Sequence, residues 1–373
     1  MKAGVETGSA GSDGGTPGGV RSRLPGLDGL RAFAVVWVML LHAGYQADFP
    51  WGLRGFADRG AHGVTVFFVL SGFLITGLLL EEEDRHGRFS LRDFYVRRAF
   101  RILPPVLLVL AGLAVVSVFV PLGVSGWDGF ACLFFFRNLV EGSYYTEHFW
   151  SLAIEEQFYL LWPPLLFCIP RSRRWVVTAG LCAFAPVWRQ IQMEWHGAQH
   201  LNWSRADLLY DALLMGALLA LTRRHGGFRR VTRGLASSGS FLCLLGGCLV
   251  ASALTVPLPR YLEPGRIPLE LVGIAMGIQG VVEGRASWMG RALNWGPVAW
   301  LGRISYSLYL WQQIFLAKEP LFAGQRFPWN LVWVVGLALV SYYGVEQPAL
   351  RWRARFLARR REPTRGVDPS CVS

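Results

Sequence analysis

Ten mostly apolar stretches punctuate the chain, near 25–44, 63–80, 104–121, 149–169, 175–191, 207–222, 235–256, 267–282, 299–316 and 329–346. A helix needs roughly 20 such residues to cross the hydrocarbon core of a bilayer, and these runs approach or reach that length. Polar segments rich in arginine, glycine and proline separate them. The pattern predicts an all-α polytopic membrane protein with about ten transmembrane helices.

An even number of spans puts both termini on one side of the membrane. On that side lie the leader, alternate loops and the tail, which together hold 26 of the 37 lysines and arginines. Positive charge gathers on the cytoplasmic face, so both termini are predicted to be cytoplasmic. Residues 1–23, dominated by glycine, serine and threonine, are too small and polar to build a core and read as a disordered leader. Residues 24–350 make the membrane domain and 351–373 a basic cytoplasmic tail. The first apolar run is not a secretory signal, because it is too long and is interrupted by Arg31.

With 53% hydrophobic and only 17% charged residues, the composition excludes an ordinary soluble globule. A sequence pI near 9.9 would suit a nucleic-acid binder. The arginines sit at the ends of apolar runs, however, so the expected surroundings are a lipid bilayer and no nucleic-acid partner is predicted. Cys132, Cys168, Cys182, Cys243, Cys248 and Cys371 lack metal-ligand spacing and read mainly as small core residues, with no metal site.

Against this apolar background a few polar residues stand out. Arg31 and His42 lie eleven residues apart in the first run, which puts them on one helical face about 16 Å apart along the axis. Ionisable groups in such a setting face a protein interior, a cavity or a partner. Arg31 is therefore either one end of a polar path or an ion-pair partner for Asp28 or a late-span carboxylate. Ser71 and Gly72 sit in the second run, suited to close helix packing or to lining a path. Arg98 and Arg101 would project together from a helix and offer paired guanidinium forks to a phosphate. Ser151, Glu155 and Tyr159 recur every fourth residue, a polar stripe at the head of the fourth run.

These residues fall within six segments that together resemble the acyltransferase-3 family. They are Leu27-Asp-Gly-Leu-Arg31 with His42; Phe67-Phe-Val-Leu-Ser71-Gly72-Phe-Leu-Ile; Arg98-x-x-Arg101-Ile-x-Pro104; Trp150-Ser151-Leu-x-x-Glu155-x-x-Phe158-Tyr159; Ile304-Ser-Tyr306-Ser-Leu-Tyr-Leu-Trp311; and Val345-Glu346-x-Pro348. The resemblance runs from about residue 24 to 352. It implies acyl transfer from a cytoplasmic acyl-CoA co-substrate to a hydroxyl, commonly on a sugar. It also implies a catalytic role for His42 and places Arg31, Arg98 and Arg101 at the acyl-CoA end. Many relatives carry histidine after Tyr-Leu-Trp, where this chain has Gln312.

The chemistry suits these residue types. Imidazole can take the proton of an alcohol near neutral pH, so His42 is the expected general base in a direct transfer. Glu155 is expected to orient it. Ser71, Ser151, Tyr159 and Tyr306 are candidates for substrate binding or for polarising the thioester carbonyl. No tightly bound cofactor is expected. The expected setting is a bacterial plasma membrane, and the expected acceptor is a carbohydrate or a glycosylated natural product such as a macrolide sugar. A cell-surface polysaccharide or envelope glycan is the alternative acceptor, and a non-enzymatic transporter the alternative function.

Overall fold

The computed structural model describes residues 24–228, apart from gaps of one or two residues, together with 263–283 and 288–361. Among the described residues the chain is helical throughout, with no strand. The elements are α1 (Leu27–Gly44), α2 (Trp51–Ala57), α3 (His62–His86), α4 (Leu91–Phe119), α5 (Gly126–Leu133), α6 (Tyr144–Glu147) and α7 (Phe149–Cys168). There follow α8 (Arg174–His196), α9 (Ala206–Thr222), α10 (Glu263–Glu283), α11 (Trp288–Leu293), α12 (Gly296–Phe315) and α13 (Trp329–Leu339). A π-helical segment, Val340–Glu346, then leads into α14 (Gln347–Arg361). Nine of the ten apolar runs thus form helices, and the run at 235–256 lies outside the described residues, as do the leader 1–23 and the end of the tail. Leu27–Gly44, Gly52–His86 and Leu91–Phe119 are each long and apolar enough to cross a membrane.

Local chemistry moves some helix ends away from the hydropathy limits. Helix α4 begins thirteen residues before Pro104 because the Ser90 side chain caps it, accepting a hydrogen bond from the Asp93 amide at 3.2 Å. The helix then carries on through Pro104 and Pro105. Arg97, Arg98 and Arg101 are therefore helical and rigidly placed.

Packing brings distant parts of the chain together. Helices α3 and α9 cross so closely that a Cβ on Gly72 would collide with the Leu213 carbonyl, and one on Gly216 with that of Val69. Glycine at these two places lets backbone meet backbone. Helix α1 lies along α12, where Gly302 leaves room for the Asp28 carbonyl. Trp162 of α7 donates to Thr76 Oγ1 of α3 at 2.8 Å. Cys132 is buried as a small core residue should be, whereas Cys168, at the end of α7, is exposed.

Between α4 and α7 a buried polar knot replaces apolar packing. Asp128 accepts hydrogen bonds from the backbone amides of Ser125 at 2.8 Å and Ser143 at 3.0 Å, and Arg137 stands 4.0 Å away. Burial alone would push the Asp128 carboxyl up. The bonds from Ser125 and Ser143, with the Arg137 charge, outweigh that and hold it below the usual carboxylate range.

Candidate active site

A cavity of about 380 Å³ opens between α1, α3, α4, α7, α12 and α14. Arg31, Arg97, Arg98, Arg101 and Arg353 supply five guanidinium groups to its wall, and Glu155 and Glu156 two carboxylates. Their pairing divides them. Arg97 is held by Glu82 at 2.6 Å, and Arg101 by the fully buried Glu346. Arg98 lies over the Tyr159 ring at 4.9 Å, and neither it nor Arg31 makes an ion pair with a described residue. Two cations facing a cavity without carboxylate partners leave it able to accept an anion.

Further in, the wall turns from charge to hydroxyls. Ser71 of α3 donates to Glu155 Oε1 at 2.8 Å, and the Tyr159 hydroxyl to Glu155 Oε2 at 3.3 Å. The four-residue stripe on α7 thus divides its work. Glu155 and Tyr159 join Ser71, while Ser151 sits 2.5 Å from the Tyr309 hydroxyl. Both hydroxyls also lie within hydrogen-bond reach of the His148 carbonyl, at 3.2 and 3.1 Å, so one of them donates to it and the other closes the triangle. Tyr306 donates to the Ile102 carbonyl at 3.3 Å and stacks its ring against Arg101.

His42 is not among the residues that line this cavity, and it is half-buried. Its Nδ1 is 3.0 Å from the Val38 carbonyl, one turn back on α1. A carbonyl can only accept, so Nδ1 carries the proton and Nε2 keeps its lone pair. The orienting bond expected from Glu155 comes from Val38 instead. Glu155 spends its hydrogen bonds on Ser71 and Tyr159 and has none to His42.

The structure brings Arg31, Arg98, Arg101, Ser71, Ser151, Glu155, Tyr159 and Tyr306 to one cavity and leaves His42 outside its lining. The late-span carboxylate considered for Arg31 belongs to Arg101. Sequence reasoning missed Arg97, Arg353 and Tyr309 as lining residues, and Glu156, whose Oε1 is buried without a hydrogen-bond partner. A carboxylate next to Glu155 at the head of an apolar helix was the available signal for Glu156. No local signal marks Arg353, which reaches the cavity only through the fold.

The profile of the acyltransferase-3 family, described as an acyltransferase domain, matches residues 24–345. The chain belongs to this family of acyltransferases. Among named proteins it is similar to "Putative peptidoglycan O-acetyltransferase YrhL" of Bacillus subtilis, with 31% identity over 90% of this chain and 56% of that protein. It is also similar to the peptidoglycan O-acetyltransferase OatA of Listeria monocytogenes, with 28% identity over 88% of this chain and 56% of the relative. For the O-acetyltransferase OatA of Staphylococcus aureus the figures are 29%, 77% and 50%. The chain therefore spans little more than half the length of these relatives. No solved structure matches it.

Proposed function

We propose that the protein is a bacterial membrane enzyme that moves an acetyl group from acetyl-CoA to a hydroxyl of a cell-wall glycan. The relatives' names support the envelope glycan, the alternative acceptor of the sequence analysis, over a natural-product sugar. The observation that carries the donor side is the cavity itself. Its five arginines, two of them without carboxylate partners, suit the phosphates of a CoA. In the ten-span layout with both termini cytoplasmic and residues 24–350 as the membrane domain, Arg98, Arg101 and Arg31 stand at the cytoplasmic mouth. His42 then lies toward the outer face, about 16 Å from Arg31 along α1. A pantetheine arm spans such a distance, so the thioester reaches the imidazole while its phosphates stay with the arginines.

At that end the His42 Nε2 lone pair takes the proton of the acceptor hydroxyl. The hydroxyl oxygen forms its bond to the acyl carbon, the carbon–sulfur bond breaks, and the departing thiolate takes the proton from His42. Ser71, Ser151, Tyr159 and Tyr306 are positioned to line the path of the arm. Glu155 holds Ser71 and Tyr159 in place on this wall through its two oxygens.

The test is acceptor-dependent release of CoA from acetyl-CoA by the purified full chain in micelles. Soluble wall-glycan fragments are offered against a glycosylated macrolide, with products read by mass spectrometry. Acetylated glycan is the expected product. Modification of the macrolide alone would reverse the choice of acceptor.

A further inference from the structure

Beside His42 lies an amide with nothing to bond. Gln312, on α12, is fully buried, and neither its oxygen nor its nitrogen has a hydrogen-bond partner. Its side chain nevertheless lies at the margin of hydrogen-bond reach of the His42 imidazole, too far for a normal bond in the resting protein. Other buried amides at this end of the molecule are bonded. Gln313 donates to the Tyr144 carbonyl at 2.5 Å, and Gln46 donates to the carbonyls of Ala317 and Gln325 at 3.0 and 2.9 Å. Among the described residues Gln312 is the one side-chain amide whose oxygen and nitrogen are both enclosed and unbonded. A buried polar group without a partner destabilises the resting protein, so its presence calls for a state in which the partner exists.

His148 repeats the feature in the same neighbourhood. Its Nε2 donates to the Leu310 carbonyl at 3.1 Å, which leaves Nδ1 an unprotonated acceptor, buried and empty. The groups facing His42 include the Val38 carbonyl on its own helix, the Tyr45 ring just beyond that helix with centroids 6.1 Å apart, Gln312 on α12, and His148 at the head of α7, which interacts with it electrostatically.

We propose that Gln312 is a positioning residue whose carbonyl oxygen accepts a hydrogen bond from His42 only while the imidazole carries the proton taken from the acceptor. The inference rests on His42 as the base. In the resting state the Nδ1 proton is satisfied by Val38 and Gln312 Oε1 has no donor. When the hydroxyl proton arrives on Nε2, the ring gains a second N–H and a full charge. Gln312 Oε1 accepts from that charged ring until the proton passes to the thiolate. A contact absent in the ground state and present as charge develops lowers the barrier without tightening substrate binding.

The experiment compares Gln312→Leu with Gln312→Glu in the full chain in micelles, measuring kcat, the KM for acetyl-CoA and the thermal midpoint. Leucine fills the space and removes the unbonded amide, so the thermal midpoint holds or rises. Its kcat falls about tenfold or more, with the acetyl-CoA KM unchanged. Glutamate keeps an oxygen in place and retains most of the turnover. Three results overturn the inference: wild-type kcat in Gln312→Leu, loss of turnover together with loss of stability in Gln312→Leu, or equal loss in both variants. Turnover that survives His42→Ala sinks the base assignment instead, and is distinguishable because it leaves the Gln312 comparison readable.

Discussion

At the scale of single residues, the arginines of the cavity differ by what already holds them. Arg97 and Arg101 are bound to Glu82 and Glu346, whereas Arg98 rests on an aromatic face. A charge-assisted hydrogen bond to phosphate is worth about 1.5–3 kcal/mol. Arg98→Ala is accordingly expected to weaken acetyl-CoA binding by roughly tenfold to a hundredfold in a direct titration. Arg97→Ala should cost less affinity, since its guanidinium is committed to Glu82. Equal losses would show that the ion pairs do not sort these cations. The division of labour along α7 was only half legible in the sequence. The four-residue spacing put Ser151, Glu155 and Tyr159 on one face. It could not show that Ser151 turns to Tyr309 while Glu155, bonded by Tyr159, turns to Ser71, because Tyr309 and Ser71 arrive on other helices.

At the scale of elements, helix positions were the most legible part of the fold. Apolar runs report burial or lipid exposure directly, and each described run is a helix. Ends were less legible, since the Ser90 cap extends α4 through the arginine cluster. The π-helical segment had no visible signal, yet it presents Glu346 to Arg101 and to the Ser307 hydroxyl, 3.3 Å away. An extra residue per turn re-aims side chains in this way, often near functional sites.

Two elements carry measurable consequences. Gly72→Ala forces α3 from α9 and should cost about 1–3 kcal/mol, seen as a lower thermal midpoint. Gly77→Ala, on the same helix with no atom within 4 Å of the added carbon, should change little. The knot before α7 gives a pH signature. The Asp128 carboxyl sits below its unfolded value, so it stabilises the fold fully above that value, roughly 3.9. The stabilisation fades as pH falls through the lower folded value. The thermal midpoint of wild type should therefore exceed that of Asp128→Asn near neutrality, and the gap should close in strong acid. A gap that persists unchanged there would contradict this.

At the scale of the whole molecule, the architecture reads as a path with chemically different ends. Guanidinium groups, carboxylates and hydroxyls line one cavity, and α1 carries His42 eleven residues on from Arg31 in that lining. The eleven-residue spacing of Arg31 and His42 made the axis of this path legible before any coordinates. Its walls were not, because they come from six helices that meet only through tertiary packing. Arg101 and Glu346, 245 residues apart, form the clearest case. The similarity to named O-acetyltransferases concerns little more than half of those proteins, so the reaction has to be measured on this chain itself.

The most direct measurement is the transfer of labelled acetyl from acetyl-CoA to wall-glycan fragments by the purified full chain, comparing wild type with His42→Ala. Binding of acetyl-CoA is titrated in parallel. The expected result is labelled glycan from wild type, none above background from the variant, and the same acetyl-CoA affinity in both. Transfer by His42→Ala at the wild-type rate would contradict the assignment of His42 as the base.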